Sequence, residues 1–343
     1  MTDGEIIHLS TISVWGIALI KKIALAVFLW LFFLSPLSVG NVKGSTNPSP
    51  AKSDLFQDVV SVCKDRENIP EEDMHWIYVP ESADQLHTDL QLAFLSGQLI
   101  SNSAVDASDC PAGGLRIDGY ANACGLAVTA PLVSVLQNAF DEAILQAWKD
   151  SSVPPVLLKQ LIRYESQFWP GRWGEYHYGL GHLTYFGAHT TLYWRPNLYR
   201  QLCSVSGNCS GEIDYEEIYY FLNLMDAYCP TCENKIDMPK AQRSIAYLAE
   251  AVYAHCEQTE QIVANATDMW PSAVVDYATI WKLTLMNYNV GPTCVYDSVV
   301  AAYEHSQSQI SWWDVGFFTG DSQCSRGIYY ANQITEEFYD FPP

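Results

Sequence analysis

Cations are scarce in this chain. Lys and Arg total 18 against 39 Asp and Glu, a formal net charge of −21. A general nucleic-acid-binding surface is basic, so that class is excluded. The same imbalance argues against charge-driven adhesion to anionic membranes or anionic wall polymers and reads mostly as solubility. Cysteine is absent before Cys63, which leaves no thiol near residue 40 for a lipid anchor. There is no internal repeat, no heptad run and no strongly alternating strand segment. That leaves a mainly α fold with room for a small β element in its loops. What the chain does have is core material. Its 343 residues are 49% hydrophobic and 13% aromatic, enough for one large domain, or one domain plus a smaller one.

The first 40 residues read as an export signal or an anchor. Lys21 and Lys22 precede the apolar run IALAVFLWLFFL at 23–34, and Ser35, Ser38 and Gly40 follow as small residues. This is the order of a charged region, an apolar region and a cleavage zone. The run is short for a membrane span. Residues 11–20 are apolar as well, so an uncleaved membrane tether interrupted by two lysines is the other reading. Either one puts the remaining chain outside the cytoplasm, secreted, in the cell envelope, or anchored and facing outward. The ten cysteines agree, because an even number in an exported chain implies disulfides. Sequence neighbours suggest Cys110–Cys124 and Cys203–Cys209.

Residues 41–53 form a polar Pro/Ser linker. Residues 54–130 are less periodic and read as an N-terminal extension packing on a main domain at 131–343. Within that domain Leu132, Val135, Leu136, Ala139, Phe140 and Ile144 mark one amphipathic helix. Further helices are expected over 214–228 and 238–256, and a central, almost wholly buried one over 272–288.

A carboxylate stands out on the helix between these. After Pro154 and Pro155, which suit the first helical positions, Leu158, Leu161 and Ile162 make an apolar face whose next member is Glu165. Such a carboxylate is poorly hydrated, and FWPG at 168–171 ends the helix, so the negative end of its dipole lies close by. Both effects favour the protonated form that a general acid requires. The bland alternative is a boundary glutamate whose head reaches water. Fourteen residues on comes GLGHLT at 179–184, and much later NYNVGP at 287–292. Gly179 and Gly181 let backbone approach a ligand closely, or simply make a flexible loop. Tyr288 and Asn289 sit where a buried helix ends, with Gly291 and Pro292 as its stop.

The Glu165-Ser166 pair, GLGH and YNVGP resemble, in order, the three signature blocks of the soluble lytic transglycosylase domain family, over residues 140–305. The resemblance implies a lysozyme-like helical domain acting on peptidoglycan glycan strands with no cofactor and no metal. Glu165 would be the single general acid and base. Ser166, Gly179, Leu180, Gly181, His182, Tyr288, Asn289 and Gly291 would bind or orient substrate, with Tyr288 orienting Glu165. The product would carry a 1,6-anhydromuramoyl end. His182 stands where the family has Gln, and Val290 replaces a small residue. The interval between the second and third blocks is longer than the family's, which suggests an insertion at 190–240. It holds Cys203, Cys209, Cys229 and Cys232, and is read as a disulfide-pinned subdomain over or beside the cleft. Ordinary glycosidases use two carboxylates. Glu175 is the nearest second one in sequence, and a lysozyme-like hydrolase would need it across the cleft.

Three rival readings come from other classes. Cys203, Cys209, Cys229 and Cys232 have a spacing that approaches a zinc ribbon, although the first interval is wide. Cys124 in YANACG could be a thiol nucleophile. A catalytically inactive glycan-binding protein is the third. Nothing in the chain identifies a protein partner or an oligomeric state.

Overall fold

The computed structural model describes residues 61–65, 75–206 and 211–336. These belong to one compact unit, Val59–Pro343. The expected signal or anchor, the linker and Cys209 lie outside the described residues, as does the start of the N-terminal extension. Among the described residues the architecture is mainly α, and β structure is limited to isolated bridges such as Trp173 with His177 and Tyr178 with Leu183.

Among the described residues thirteen α-helices follow one another: α1 Ala93–Ser101, α2 Ala123–Leu136, α3 Asp141–Ser151, α4 Pro155–Ser166, α5 Tyr185–Trp194, α6 Pro196–Ser206, α7 Tyr215–Met225, α8 Met238–Thr267, α9 Pro271–Val274, α10 Tyr277–Val290, α11 Pro292–Ser306, α12 Trp312–Phe318 and α13 Ser322–Glu336. The 30-residue α8 is the hub, packing against α3, α5, α7, α10 and α11. It starts at Asp237, whose side chain accepts the Lys240 N–H, and stops at Asp268, a left-handed C-cap. Helix α10 is buried along most of its length, as the apolar sequence of 272–288 suggests. It begins later than expected, because Asp276 accepts the Thr279 N–H and caps a new helix after the short α9.

The expected helix over 132–144 is two helices. Gln137 and Asn138 at the break turn their amides onto residues 88–90. Gln137 accepts from Leu90 N at 2.9 Å, and Asn138 accepts from Thr88 N at 2.8 Å and donates to Thr88 O at 2.8 Å. Leu136, Phe140 and Ile144 are buried, whereas Val135 is 62% exposed. A single continuous apolar stripe is therefore absent.

Residues of the N-terminal region share the main core: Cys63, Trp76, Ile77, Leu86, Phe94, Leu95 and Leu99 cluster with Leu158, Leu161 and Leu248. The disulfide Cys63–Cys256 joins this region to α8, and Lys159 on α4 donates to Leu86 O while pairing with Asp141 at 2.6 Å. Described residues of the stretch 190–240, among them Leu192, Leu198 and Ile236, share the same core. The capping box of Asp214 and Glu217 starts α7, whose Ile218, Phe221, Leu222 and Met225 are all fully buried.

The other bridges are Cys110–Cys124, Cys229–Cys232 and Cys294–Cys324. Cys203 is also disulfide-bonded. Cys124 is thus a half-cystine and not a free nucleophile. Cys229 and Cys232 bond to each other, which removes the thiolates a zinc ribbon would need.

Candidate active site

Glu165 is the penultimate residue of α4. Its helix ends because Gln167 and Phe168 both take left-handed backbone angles (φ 47° and 68°), one residue ahead of the expected FWPG stop. The reversal tucks Phe168 and Trp169 into the core and leaves the Glu165 side chain 16% exposed at a cleft of about 540 Å³. Ser166 faces the other way. Buried, it donates its hydroxyl to Leu180 O at 2.8 Å and so ties the second sequence block to the end of α4.

The second block is a tight reversal. Tyr178 and Leu183 exchange backbone hydrogen bonds at 3.1 and 3.0 Å across it. Gly179, Leu180 and Gly181 are buried and do not line the cleft, which departs from the substrate contact expected of them. Their need for small size comes from packing. A Cβ on Gly179, where φ is +65°, would lie 2.4 Å from Met225 O, and one on Gly181 would lie 2.3 Å from Leu248 Cδ1. The residue this turn presents is His182, whose Nδ1 is 3.5 Å from Glu165 Oε2.

The third block ends α10. Tyr288 lines the cleft, but its hydroxyl donates to Gly181 O at 2.7 Å, not to Glu165. It therefore braces the His182 turn. Asn289 and Gly291 line the cleft as well, with Gly291 at φ +86° turning the chain into Pro292 and α11. The buried asparagine of this block is Asn287, which donates to Gln258 Oε1 at 3.0 Å and to Thr259 Oγ1 at 3.2 Å.

The group that holds Glu165 comes from elsewhere. Tyr330, buried on α13, donates its hydroxyl to Glu165 Oε1 at 2.5 Å. Helix α13 packs on both α4 and α10, which is how a residue 165 positions away reaches the carboxylate. Burial, then the nearby Glu165 charge, pushes the Tyr330 hydroxyl well above its ordinary pKa, so it stays a donor. Burial and the same charge do likewise for Tyr288.

Histidines from three segments complete the lining: His177, His189 on α5, and His255 on α8. Burial lowers the His255 pKa from 6.5 to about 4, partly opposed by its hydrogen bond with Ala251 O. Glu165 is the one carboxylate on the cleft wall among the described residues. Glu175 is exposed on the turn between Trp173 and His177 and takes no part in the lining. Among the described residues of the interval 190–240, Thr190 lines the cleft.

No protein-family model, curated protein or solved structure matches this chain.

Residue type alone did not mark Tyr330, His177, His189, His255 or Gln258 as cleft or near-cleft residues. For Tyr330 the available signal was the spacing of Tyr330 and Ile334, both buried, on a C-terminal helix. That pattern reads as core and hides the hydroxyl that reaches Glu165.

Proposed function

We propose that this protein is a peptidoglycan lytic transglycosylase with a lysozyme-like helical domain, working outside the cytoplasm either secreted or tethered by its N-terminal segment. One observation carries the reading: among the described residues a single carboxylate, Glu165, stands in the cleft with one oxygen held by a desolvated tyrosine hydroxyl. Chemistry at a glycosidic bond that relies on one carboxyl group needs an intramolecular nucleophile. The C6 hydroxyl of the muramoyl unit is one. Glu165 gives its proton to the bridging oxygen as the C1–O bond breaks. The C6 hydroxyl closes on C1, its proton passes to the carboxylate that Glu165 has become, and a 1,6-anhydro end results. Tyr330 keeps the carboxyl group in one orientation, and Ser166 and Tyr288 hold the turn that carries His182 against it.

Hydrolysis by an activated water is the second reading, and Glu175 was the carboxylate it required. The position of Glu175 outside the cleft weighs against it. The disulfides agree with an oxidising compartment.

The test is to incubate residues 41–343, expressed with disulfides formed, with purified peptidoglycan and to weigh the released fragments beside Glu165→Gln. Muramoyl ends lighter by one water, lost in the variant, are expected. Ordinary reducing ends would replace the proposal with a hydrolase. Glycan binding without cleavage would leave a binding protein.

A further inference from the structure

Helix α5 departs from the pattern of a surface helix. Such a helix buries an apolar stripe and turns charged or polar side chains outward. Ala188, Thr191 and Leu192 are the buried side of α5, and the helix packs on α7 and α8. The other side carries Phe186, His189 and Tyr193, all exposed, Phe186 by 80% and Tyr193 by 66%. Steps of three and four residues put these rings on one face. The helix contains no Asp, Glu, Lys or Arg, in a chain whose net charge is −21.

Scattered exposed apolar residues are ordinary, whereas a contiguous row marks a ligand groove or an interaction site. Two observations say what this row meets. The first is continuity with the cleft. Phe186, His189 and Thr190 line the cleft that holds Glu165. Tyr193, one turn beyond His189, lies outside that lining, and its ring is nearly parallel to the imidazole of His189 (planes 13° apart, centroids 6.4 Å). From Phe186 to Tyr193 the helix rises about 10 Å, the scale of one disaccharide repeat. The second observation is charge. A row of rings with no ionic group suits the apolar C–H faces of pyranose rings and offers no counter-charge to a phosphate, carboxylate or ammonium group. Thr190 adds a hydroxyl, the kind of group that fixes a ligand's orientation.

The backbone beneath the rings is fixed at both ends. Thr184 Oγ1 accepts the Gly187 N–H at 3.2 Å and caps the start of α5. Just past its end, Arg195 pairs with Glu250 and Glu257 of α8. The face is thus in place before a ligand arrives, which lowers the ordering cost of binding.

Resting on the reading of the cleft as a glycan site, we propose that the Phe186–His189–Tyr193 face of α5 is an accessory binding surface for the glycan strand. It carries sugar units that lie beyond the bond being cut. The chemistry at Glu165 is untouched by it. The surface keeps a long strand seated, so affinity grows with strand length.

The test uses the chain from residue 41, which holds the whole Val59–Pro343 unit, in its Glu165→Gln form so that the ligand is not consumed. The probe is glycan strands stripped of their stem peptides and sorted by length. Calorimetric titration should show affinity rising from the disaccharide to long strands. Adding Phe186→Ala and Tyr193→Ala should weaken long-strand binding by about 10- to 100-fold and remove most of the gain with length. Phe186→Trp with Tyr193→Trp should restore that gain, which a folding defect in the alanine pair would not explain. Equal long-strand affinity with and without the two rings overturns the proposal. If, in addition, the parent self-associates on sedimentation and the alanine pair does not, the face is instead a contact between two copies. Fragment release by the protein with Glu165 intact is scored separately. Cleavage with ring-independent binding leaves the transglycosylase reading without the surface. Ring-dependent binding without cleavage leaves the surface without the enzyme. A parent that binds no strand overturns the surface, whatever its cleavage.

Discussion

Tyr330→Phe isolates the contact that carries the functional reading. Tyr330 is 3% exposed, its ring meets Tyr164 edge-on at 5.1 Å, and its hydroxyl donates to Glu165. Phenylalanine keeps the ring and its packing and removes only the donor. A hydrogen bond to a charged group contributes about 1.5–3 kcal/mol. If that stabilisation acts on the reacting carboxyl group, kcat/KM falls about 10- to 150-fold. The same deletion leaves a poorly hydrated oxygen without its donor, so a stability loss of about 1–2 kcal/mol is expected, or about 2–8 °C in Tm for a domain of this size. The assay is the initial rate of anhydromuramoyl-end release from purified peptidoglycan, with Glu165→Gln as the inactive reference and thermal unfolding alongside. Tyr329→Phe, at a neighbouring residue that is 62% exposed, should leave both readouts unchanged. A Tyr330→Phe protein within twofold of the parent rate and with the same Tm would refute the idea that this hydroxyl holds Glu165.

Other expectations concern stability. Lys159, 1% exposed, bonds Leu86 O, Asn138 and Asp141. Lys159→Met should cost about 3–5 kcal/mol in urea unfolding by stranding a buried carboxylate, and adding Asp141→Asn should recover much of it. A double variant no better than the single one would show that packing, not charge, sets the loss. Gly179→Ala forces a Cβ against Met225 O at a left-handed backbone position, so a loss of about 2–4 kcal/mol is expected by the same measurement. The imidazole of His255 is held neutral in the fold, its pKa lowered from 6.5 to about 4. Between those values the unfolded chain binds a proton that the folded one does not, so stability falls as pH falls through that window. The contribution is about 3 kcal/mol, and His255→Gln should flatten the slope of urea-unfolding stability against pH by that amount. An unchanged slope would mean that the ring is hydrated.

Much of the helical frame was legible along the chain. Pro155 and the apolar spacing of α7, α8 and α10 are local signals, and local signals survive folding. The failures share a cause. Gln137 and Asn138 interrupt a helix because residues 88–90, some fifty positions earlier, need their amides. The glycines of GLGH suggested a ligand-facing loop, whereas Met225 and Leu248 crowd them. Spacing cannot report a neighbour that arrives from a distant segment.

The sequence by itself determined the helical class, the disulfide chemistry and a carboxylate at the end of an apolar helix face, since each follows from composition or from a period of 3.6 residues. Only the tertiary structure decided what surrounds that carboxylate. Packing of α13 on α4 and α10 brings Tyr330 to Glu165, turns Tyr288 toward Gly181 instead, sets His182 alongside and leaves Glu175 outside. Those relations are distances between helices remote in sequence. They are set by how the buried faces fit together, and no single segment contains them.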